Sequence, residues 1–439
     1  MNKRKIAILL EFGFHEIKKY IHSGFADTLS KEFDIIWVAL DKGSKEFHEY
    51  FGRTGFPLVY VQENELTARL LKIEKYNKVV RNNWVVNRNI GGFHNHIRIK
   101  KKSLKTRLLG NTLLKEILSY FTLKCLYKNY QNLILKDIFC FYGVNELLIT
   151  GTSSNFVKSA VATAQMGEIP VNYLVNSWKD LYVNSFIPFK NLSRIFVWSE
   201  IMKTDYLRYM PYLSGSNFIV SGNPTFDSLI RSHAKNDRSF YSEKYNIPLD
   251  SKWLLYTMMP VGLTNDELQT IIYTANSILK SFSKDEYTII VRKNPTHGVD
   301  DFKDVHLPDN LVLADHFCSF DKRSDMIIQS PEGEQEWLDL VHHSIANLSV
   351  PSTVTLEFLT LGKNVFNISY NSKGEIDERI FQFFDAGFYR PLFDRKDVIN
   401  VKNIEVLIDS LKNLCSENKS TSLSHMTAGE IIVQHLARL

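Results

Sequence analysis

Along this chain, short apolar blocks alternate with longer stretches whose apolar residues recur every three or four positions. Ile6, Ala7, Ile8, Leu9 and Leu10 are consecutive, which suits a strand covered on both faces. The pattern predicts a strand over 6–12, a helix over 17–31, a strand over 35–40 and a third over 58–61. Residues 67–137 are polar, basic and helical in pattern, with only 84–86 strand-like, and read as an insertion. The alternation then returns. Strands are predicted at 146–150, 171–175, 194–198 and 217–220, with a helix ending near 165. A second set begins at 253–257 and continues with a helix over 265–282 and strands at 287–292, 311–313 and 344–348. A helix over 352–361, a strand over 364–368 and a last helix over 426–439 complete it.

Repeated strand–helix–strand units imply parallel sheets with helices on both faces. The chain has 439 residues, more than one ordinary core organises, so two domains are expected. The predicted class is α/β, with two Rossmann-like domains facing a cleft and a helical basic insertion in the first. The first domain would span 1–235 and the second 250–420, joined through the polar stretch 234–250. Residues 421–439 would form a helix crossing back to the first. In such folds ligands bind outside the carboxyl ends of the strands.

Composition narrows the class. Hydrophobic residues make up 44% and charged residues 23%, ordinary for a soluble globular protein. The four cysteines, Cys125, Cys140, Cys318 and Cys415, have no paired spacing, which suits a reducing compartment and neither a disulfide framework nor a zinc site. Glu11 and His15 interrupt the first apolar run too early for a signal peptide. No stretch approaches the roughly 20 apolar residues of a spanning helix. The expected location is cytoplasmic, with a peripheral place on the inner face of the plasma membrane as an extension.

That extension comes from charge. The chain carries +5, yet residues 98–128 hold nine Lys or Arg against Glu116 alone, so this segment carries +8 and the rest −3. Leu104, Leu108, Leu113, Leu114, Ile117, Leu118 and Phe121 recur within it at about helical spacing. A basic amphipathic helix suits an anionic lipid surface. A core-packing helix with a solvated basic face fits the same pattern.

Five stretches carry candidate chemistry. Ser349-Val350-Pro351-Ser352-Thr353 lies between a strand and a helix, so the hydroxyls of Ser349, Ser352 and Thr353 and the first-turn N–H groups could hold an anion. Ser352 is the expected N-cap, and Glu357 on the same helix could reach a ribose. Arg292 and Lys293 end a strand and suit phosphate, and His297 follows a proline turn. Gly222, directly after a strand, permits close approach of a ligand or a hinge turn. Trp178, Lys179 and Asp180 follow another strand and could meet an acceptor sugar and move a proton. Glu11 and His15 follow the first strand and could act as a base. Capped helices, solvated loops and loop ion pairs are the plainer alternatives. The acidic run Glu332-Gly333-Glu334-Gln335-Glu336, with Trp337, reads as a turn and first helical turn, or as lining of the cleft. Zinc-protease, calcium-loop, P-loop and nucleophile-elbow motifs are absent, and nothing suggests nucleic acid.

Several of these stretches occur together in an order that resembles a family. Asn176-Ser177-Trp178 with Leu181, then Ser199-Glu200 with Met202-Lys203, then Ser221-Gly222-Asn223-Pro224 with Phe226-Asp227 are similar to motifs of bacterial GT-B type glycosyltransferases of surface polysaccharide synthesis. Arg292 with Pro295 resembles their Arg-Pro-His-Pro segment. Ser349, Pro351, Ser352, Thr353 and Glu357 with Gly362-Lys363 resemble their donor segment. The resemblance covers about residues 145–370 and omits the basic insertion. The chain departs from it at Lys179, where the pattern has aspartate, and at Lys293-Asn294.

The resemblance implies a metal-independent enzyme without a cofactor, moving a sugar from a nucleotide-sugar donor to a hydroxyl of a lipid-linked glycan of capsule, lipopolysaccharide or teichoic acid type. Arg292, Lys293, Ser349, Ser352, Thr353 and Glu357 would serve the donor, to which His297 and Gly222 are added by their positions after strands. The first domain would bind the acceptor and supply a base; by their strand-end positions, and not by the resemblance, Trp178 and Lys179 are the acceptor candidates and Asp180, Glu11 and His15 the candidate bases. Polyol-phosphate transferases share the architecture. A sugar-nucleotide 2-epimerase and a non-catalytic sugar-nucleotide-binding protein are the competing classes.

Overall fold

The computed structural model describes residues 3–11, 14–41, 45–62, 113–114, 117, 121, 130–152, 154–183, 189, 191–210, 212–261, 266–283, 285–298, 302, 304–315, 318–321, 326–384, 387–392, 394–414 and 426–437. The expected insertion 67–137, its strand at 84–86 and the basic segment 98–128 therefore lie almost wholly outside the described residues. By packing, the chain divides into Met1–Thr225 with Ala386–Phe388 and Met426–Leu439, and Phe226–Asp385 with Tyr389–His425.

The first unit is built on seven strands: β1 (Arg4–Leu10), β2 (Phe33–Leu40), β3 (Leu58–Val61), β4 (Glu146–Ile149), β5 (Val171–Leu174), β6 (Arg194–Val197) and β7 (Phe218–Val220). All pair in parallel, in the order β3-β2-β1-β4-β5-β6-β7. Ile6 to Leu10 are all buried, as expected for a strand with helices over both faces. The direction of winding reverses between β1 and β4. At the opposite, amino end of this sheet, Glu146 meets Arg4 at 3.1 Å and Arg194 at 3.6 Å. Arg4 also donates to the carbonyl of Leu436 in the last helix, Ala428–Ala437.

The helix expected over 17–31 is broken. Phe14–Glu16 leads into a π-helical turn, Ile17–His22, in which Ser23 N–H reaches Lys18 O at 3.1 Å. Gly24 then takes φ +71° and a second helix, Phe25–Ser30, begins. Tertiary packing decides this. The wide turn buries Tyr20 between Phe25, ring centres 5.7 Å apart, and Trp37, 5.5 Å away. Such widened turns recur at functional sites.

The second unit holds β8 (Lys252–Thr257), β9 (Tyr287–Arg292), β10 (Leu311–Leu313), β13 (Ala346–Ser349), β14 (Asn364–Ile368) and β15 (Val398–Val401), parallel in the order β10-β9-β8-β13-β14-β15. A separate antiparallel hairpin, β11 (Cys318–Asp321) and β12 (Met326–Gln329), precedes the helix Pro331–His343. Leu254, Tyr256, Ile289, Val291, Leu348 and Phe366 form the centre of the core. The stretch 234–250 belongs to this unit and contains a helix, Arg238–Tyr245. Asp339 fastens it by accepting from Lys235 N at 2.8 Å and Tyr241 Oη at 2.8 Å. Among the described residues, no helix is long and apolar enough to cross a membrane.

Candidate functional site

In the second unit, winding reverses between β8 and β13, where such sheets open a crevice for ligands. The register aligns strand-end residues across that edge. Arg292 pairs with Thr257, Thr257 with Ser349, and Ser349 with Asn367. The loop after β8 is fixed by Glu267, whose carboxylate accepts the Met259 N–H at 3.0 Å and the Tyr256 hydroxyl at 3.3 Å. The loop after β9 is tied to it, since Thr296 Oγ1 accepts from Val261 N at 3.0 Å.

At this edge Arg292 stands apart from the other cations. Its guanidinium lies 4.6 Å from the centre of the Trp337 ring, and its side chain makes no hydrogen bond or ion pair among the described residues. The other edge of that indole is held too, because Trp337 Nε1 donates to Glu357 Oε2 at 2.9 Å. Glu357 lies on the helix Thr353–Thr360, which starts just after β13. Arg292, Trp337 and Glu357, on that helix, are thereby brought into one group. The group offers a planar cation to an anion.

Not every residue expected here faces outward. Ser349 is fully buried, and its hydroxyl donates to Asn347 Oδ1 at 2.8 Å. As the last residue of β13 it turns that side chain into the sheet's polar interior, where the hydroxyl expected to meet an anion is engaged by Asn347. Lys293 is also buried, with Nζ on the Gly298 carbonyl at 3.0 Å, so it braces its own loop. His297 shares a hydrogen bond with the Met259 carbonyl at 3.2 Å and packs on Phe302.

Ser352 occupies the N-cap position, yet its hydroxyl makes no capping bond, whereas Ser154, Ser199 and Ser330 cap their helices. The Ser352 hydroxyl is shut from solvent and has no hydrogen-bond partner among the described residues, a condition that costs free energy unless a ligand or water meets it. Thr353, partly exposed, opens the same helix. Behind that helix Thr355 Oγ1 donates to Asn367 Oδ1 at 3.2 Å. Lys363 fastens its far end, with Nζ on the carbonyls of Val341 at 2.7 Å, His342 at 2.6 Å and Ser344 at 2.6 Å. Desolvation, then Arg238, pushes the pKa of Lys363 down to about 7.

The first unit carries a different group at the carboxyl ends of β1 and β5. Lys19, on the π-helical turn, is buried and donates to Asn176 Oδ1 at 2.6 Å. Desolvation lowers its pKa to about 8, against the opposing pull of Asp180 and then Glu16. Asp180 Oδ2 accepts from Ser177 N at 2.9 Å. Asp180 keeps some surface open, but crowding by protein outweighs its hydrogen bonds and Lys19 and raises its pKa to about 6. His15 is exposed along one side yet hemmed in. Desolvation, then Lys19 and Lys18, lowers its pKa to about 4, which keeps the imidazole neutral near pH 7. Glu11 is buried, and its N–H donates to Glu16 Oε1 at 2.6 Å.

Trp178 is buried edge-on against Phe388, ring centres 4.9 Å apart. Trp178 was expected to contact an acceptor sugar, and here its indole packs on Phe388. Lys179 lies 5.8 Å from the same phenyl ring, and desolvation lowers its pKa. Gly222 sits in the first unit at φ +82°, where an added Cβ would lie 3.4 Å from Ala428 Cβ. That places it against the last helix. No cluster of three or more potential metal ligands occurs among the described residues.

Sequence reasoning reached Arg292 and Glu357, and left the stretch that contains Trp337 as either a first helical turn or lining of the cleft, with no partner named for the indole. It passed over Lys19 and Glu267, whose polar side chains sit in helices with nothing in their spacing to mark them.

No protein-family model matches the sequence, and no curated protein matches it. Solved structures do. A UDP-GlcNAc 2-epimerase of Neisseria meningitidis bound to UDP-GlcNAc is similar over 99% of this chain and 100% of its own, with a TM-score of 0.55 and 15% identity. A UDP-GlcNAc 2-epimerase of Methanocaldococcus jannaschii, in complex with UDP-GlcNAc and UDP, is similar over 98% and 99%, with a TM-score of 0.53 and 14% identity. At these identities the similarity is one of fold, two Rossmann-like units of the GT-B type.

Proposed function

We propose that this chain is an enzyme acting on a nucleotide sugar, and that it transfers the sugar to a hydroxyl of a lipid-linked bacterial surface glycan. The observation that carries the reading is the Arg292 guanidinium, held on Trp337 with no acidic partner among the described residues, at the carboxyl end of β9, the strand next to the reversal between β8 and β13. A diphosphate would take its N–H donors and the first turn of the helix Thr353–Thr360, with the Ser352 hydroxyl as a further partner. Glu357 would accept from a ribose hydroxyl. These contacts would stabilise the charge that builds on the departing nucleotide as its bond to the anomeric carbon breaks. Asp180 is the assigned base for the acceptor hydroxyl, because a carboxylate titrating near 6 is ionised at neutral pH and still able to take a proton. The reading needs no cofactor.

Interconversion of a sugar nucleotide at carbon 2 is the second reading, favoured by the fold shared with two UDP-GlcNAc 2-epimerases. One experiment separates them. UDP-, GDP-, CDP- and CMP-linked sugars are screened for thermal stabilisation, and the best binder is incubated with and without a glycan acceptor. Donor loss only with acceptor supports transfer. Conversion to an epimer without acceptor supports the second reading. Absence of any stabilisation would refute both.

The basic segment 98–128 supports a place on an anionic membrane. Of its described apolar residues, Leu113, Ile117 and Phe121 are 68%, 44% and 46% exposed, at four-residue spacing, and Leu114 is half-buried. Sedimentation with phosphatidylglycerol vesicles that weakens with salt, and none with phosphatidylcholine, is the expected outcome.

A further inference from the structure

We infer that Trp337 is a positioning residue that keeps Arg292 and Glu357 apart, so that one reads phosphate and the other reads ribose. The inference rests on the donor-site reading above and extends it to a residue that no motif assigned. Arginine and glutamate side chains in one small site ordinarily pair, and a bidentate pair would consume the donors a phosphate needs. Here no ion pair forms between them. Arg292 lies over the face of the indole at 4.6 Å, and Glu357 takes the N–H at its edge at 2.9 Å. Trp337 is itself only 4% exposed, rooted in the helix Pro331–His343. The cap of that helix is firm, because Ser330 Oγ accepts from Gly333 N at 3.1 Å and Gln329 Nε2 donates to Glu334 Oε2 at 3.0 Å. One rigid ring thus sets both the height of the guanidinium and the rotation of the carboxylate. A phenyl ring at this position would keep the cation–π contact and lose the edge hydrogen bond.

The test uses Trp337→Phe, with Glu357→Gln and Arg292→Ala as references, each first checked for an unchanged thermal transition. Calorimetry measures UDP, GDP and CDP, their 2′,3′-dideoxy counterparts, and inorganic pyrophosphate. The parent should prefer the ribose-bearing form of its best nucleotide by about tenfold. Trp337→Phe and Glu357→Gln should both abolish that preference while pyrophosphate binding stays as in the parent. Arg292→Ala should weaken pyrophosphate and nucleotide alike. A parent that binds nucleotide without preferring ribose overturns the inference alone, as does a Trp337→Phe variant that keeps the preference or weakens pyrophosphate equally. A parent that binds no nucleotide overturns the donor-site reading as well.

Discussion

In the first unit the cation at the carboxyl edge of the sheet, Lys19, is buried, bonded to Asn176 and flanked by Glu16 and Asp180. In the second unit the corresponding cation, Arg292, lies on an aromatic face and keeps its N–H donors. The two edges share a parallel topology and a reversal of winding, yet their electrostatics differ. A charge compensated by near neighbours tunes the proton affinity of those neighbours. A charge held on a ring remains ready for an incoming anion. On the function proposed above, the contrast would leave proton handling to the first unit and phosphate recognition to the second.

The sharpest way to break this contrast is Asp180→Asn. Turnover should fall by about 100-fold or more, with nucleotide affinity little changed. Stability gives an independent check. Asp180 titrates near 6 in the folded chain against an ordinary 3.8, so the folded form binds the proton more tightly. Its contribution to stability is present below pH 3.8 and is lost as pH rises toward 6. The variant should therefore be more stable than the parent above pH 6 in urea titrations. Equal turnover, or lower stability there, would count against a strained acid.

Next in size is Lys363→Met. Three carbonyls at the end of the helix bearing Trp337 would lose their donor, at a cost of about 2–4 kcal/mol read from chemical denaturation. A loss within measurement error would mean that the ammonium is dispensable to that helix. The smallest effect belongs to Lys19→Met. Its positive charge favours the ionised Asp180, so removing it should move the acidic limb of the rate profile to higher pH. An unmoved limb would uncouple the pair.

The strands around both reversal points were legible because each is a continuous apolar run between turn residues. The pattern failed where packing overrode periodicity. It ran one helix through 17–31, but Gly24 and the burial of Tyr20 split it. It treated 234–250 as a joint, whereas buried Asp339, distant in sequence, organises it. At the site, strand ends revealed where Arg292 and the Ser352 turn would lie. Side-chain direction was less accessible. Ser349 and Trp178 both occupy promising positions, yet one points into the sheet and the other under Phe388. Trp337 was hidden because its partners come from a strand and a helix on either side of it in sequence.

The central claim is that a nucleotide diphosphate binds at Arg292. Calorimetric titration of UDP, GDP and CDP into the parent and Arg292→Ala tests it most directly. The account predicts that the best-binding nucleotide loses about tenfold to a hundredfold in affinity in the variant, with the thermal transition of the free protein unchanged. Equal affinity in the two proteins would contradict it.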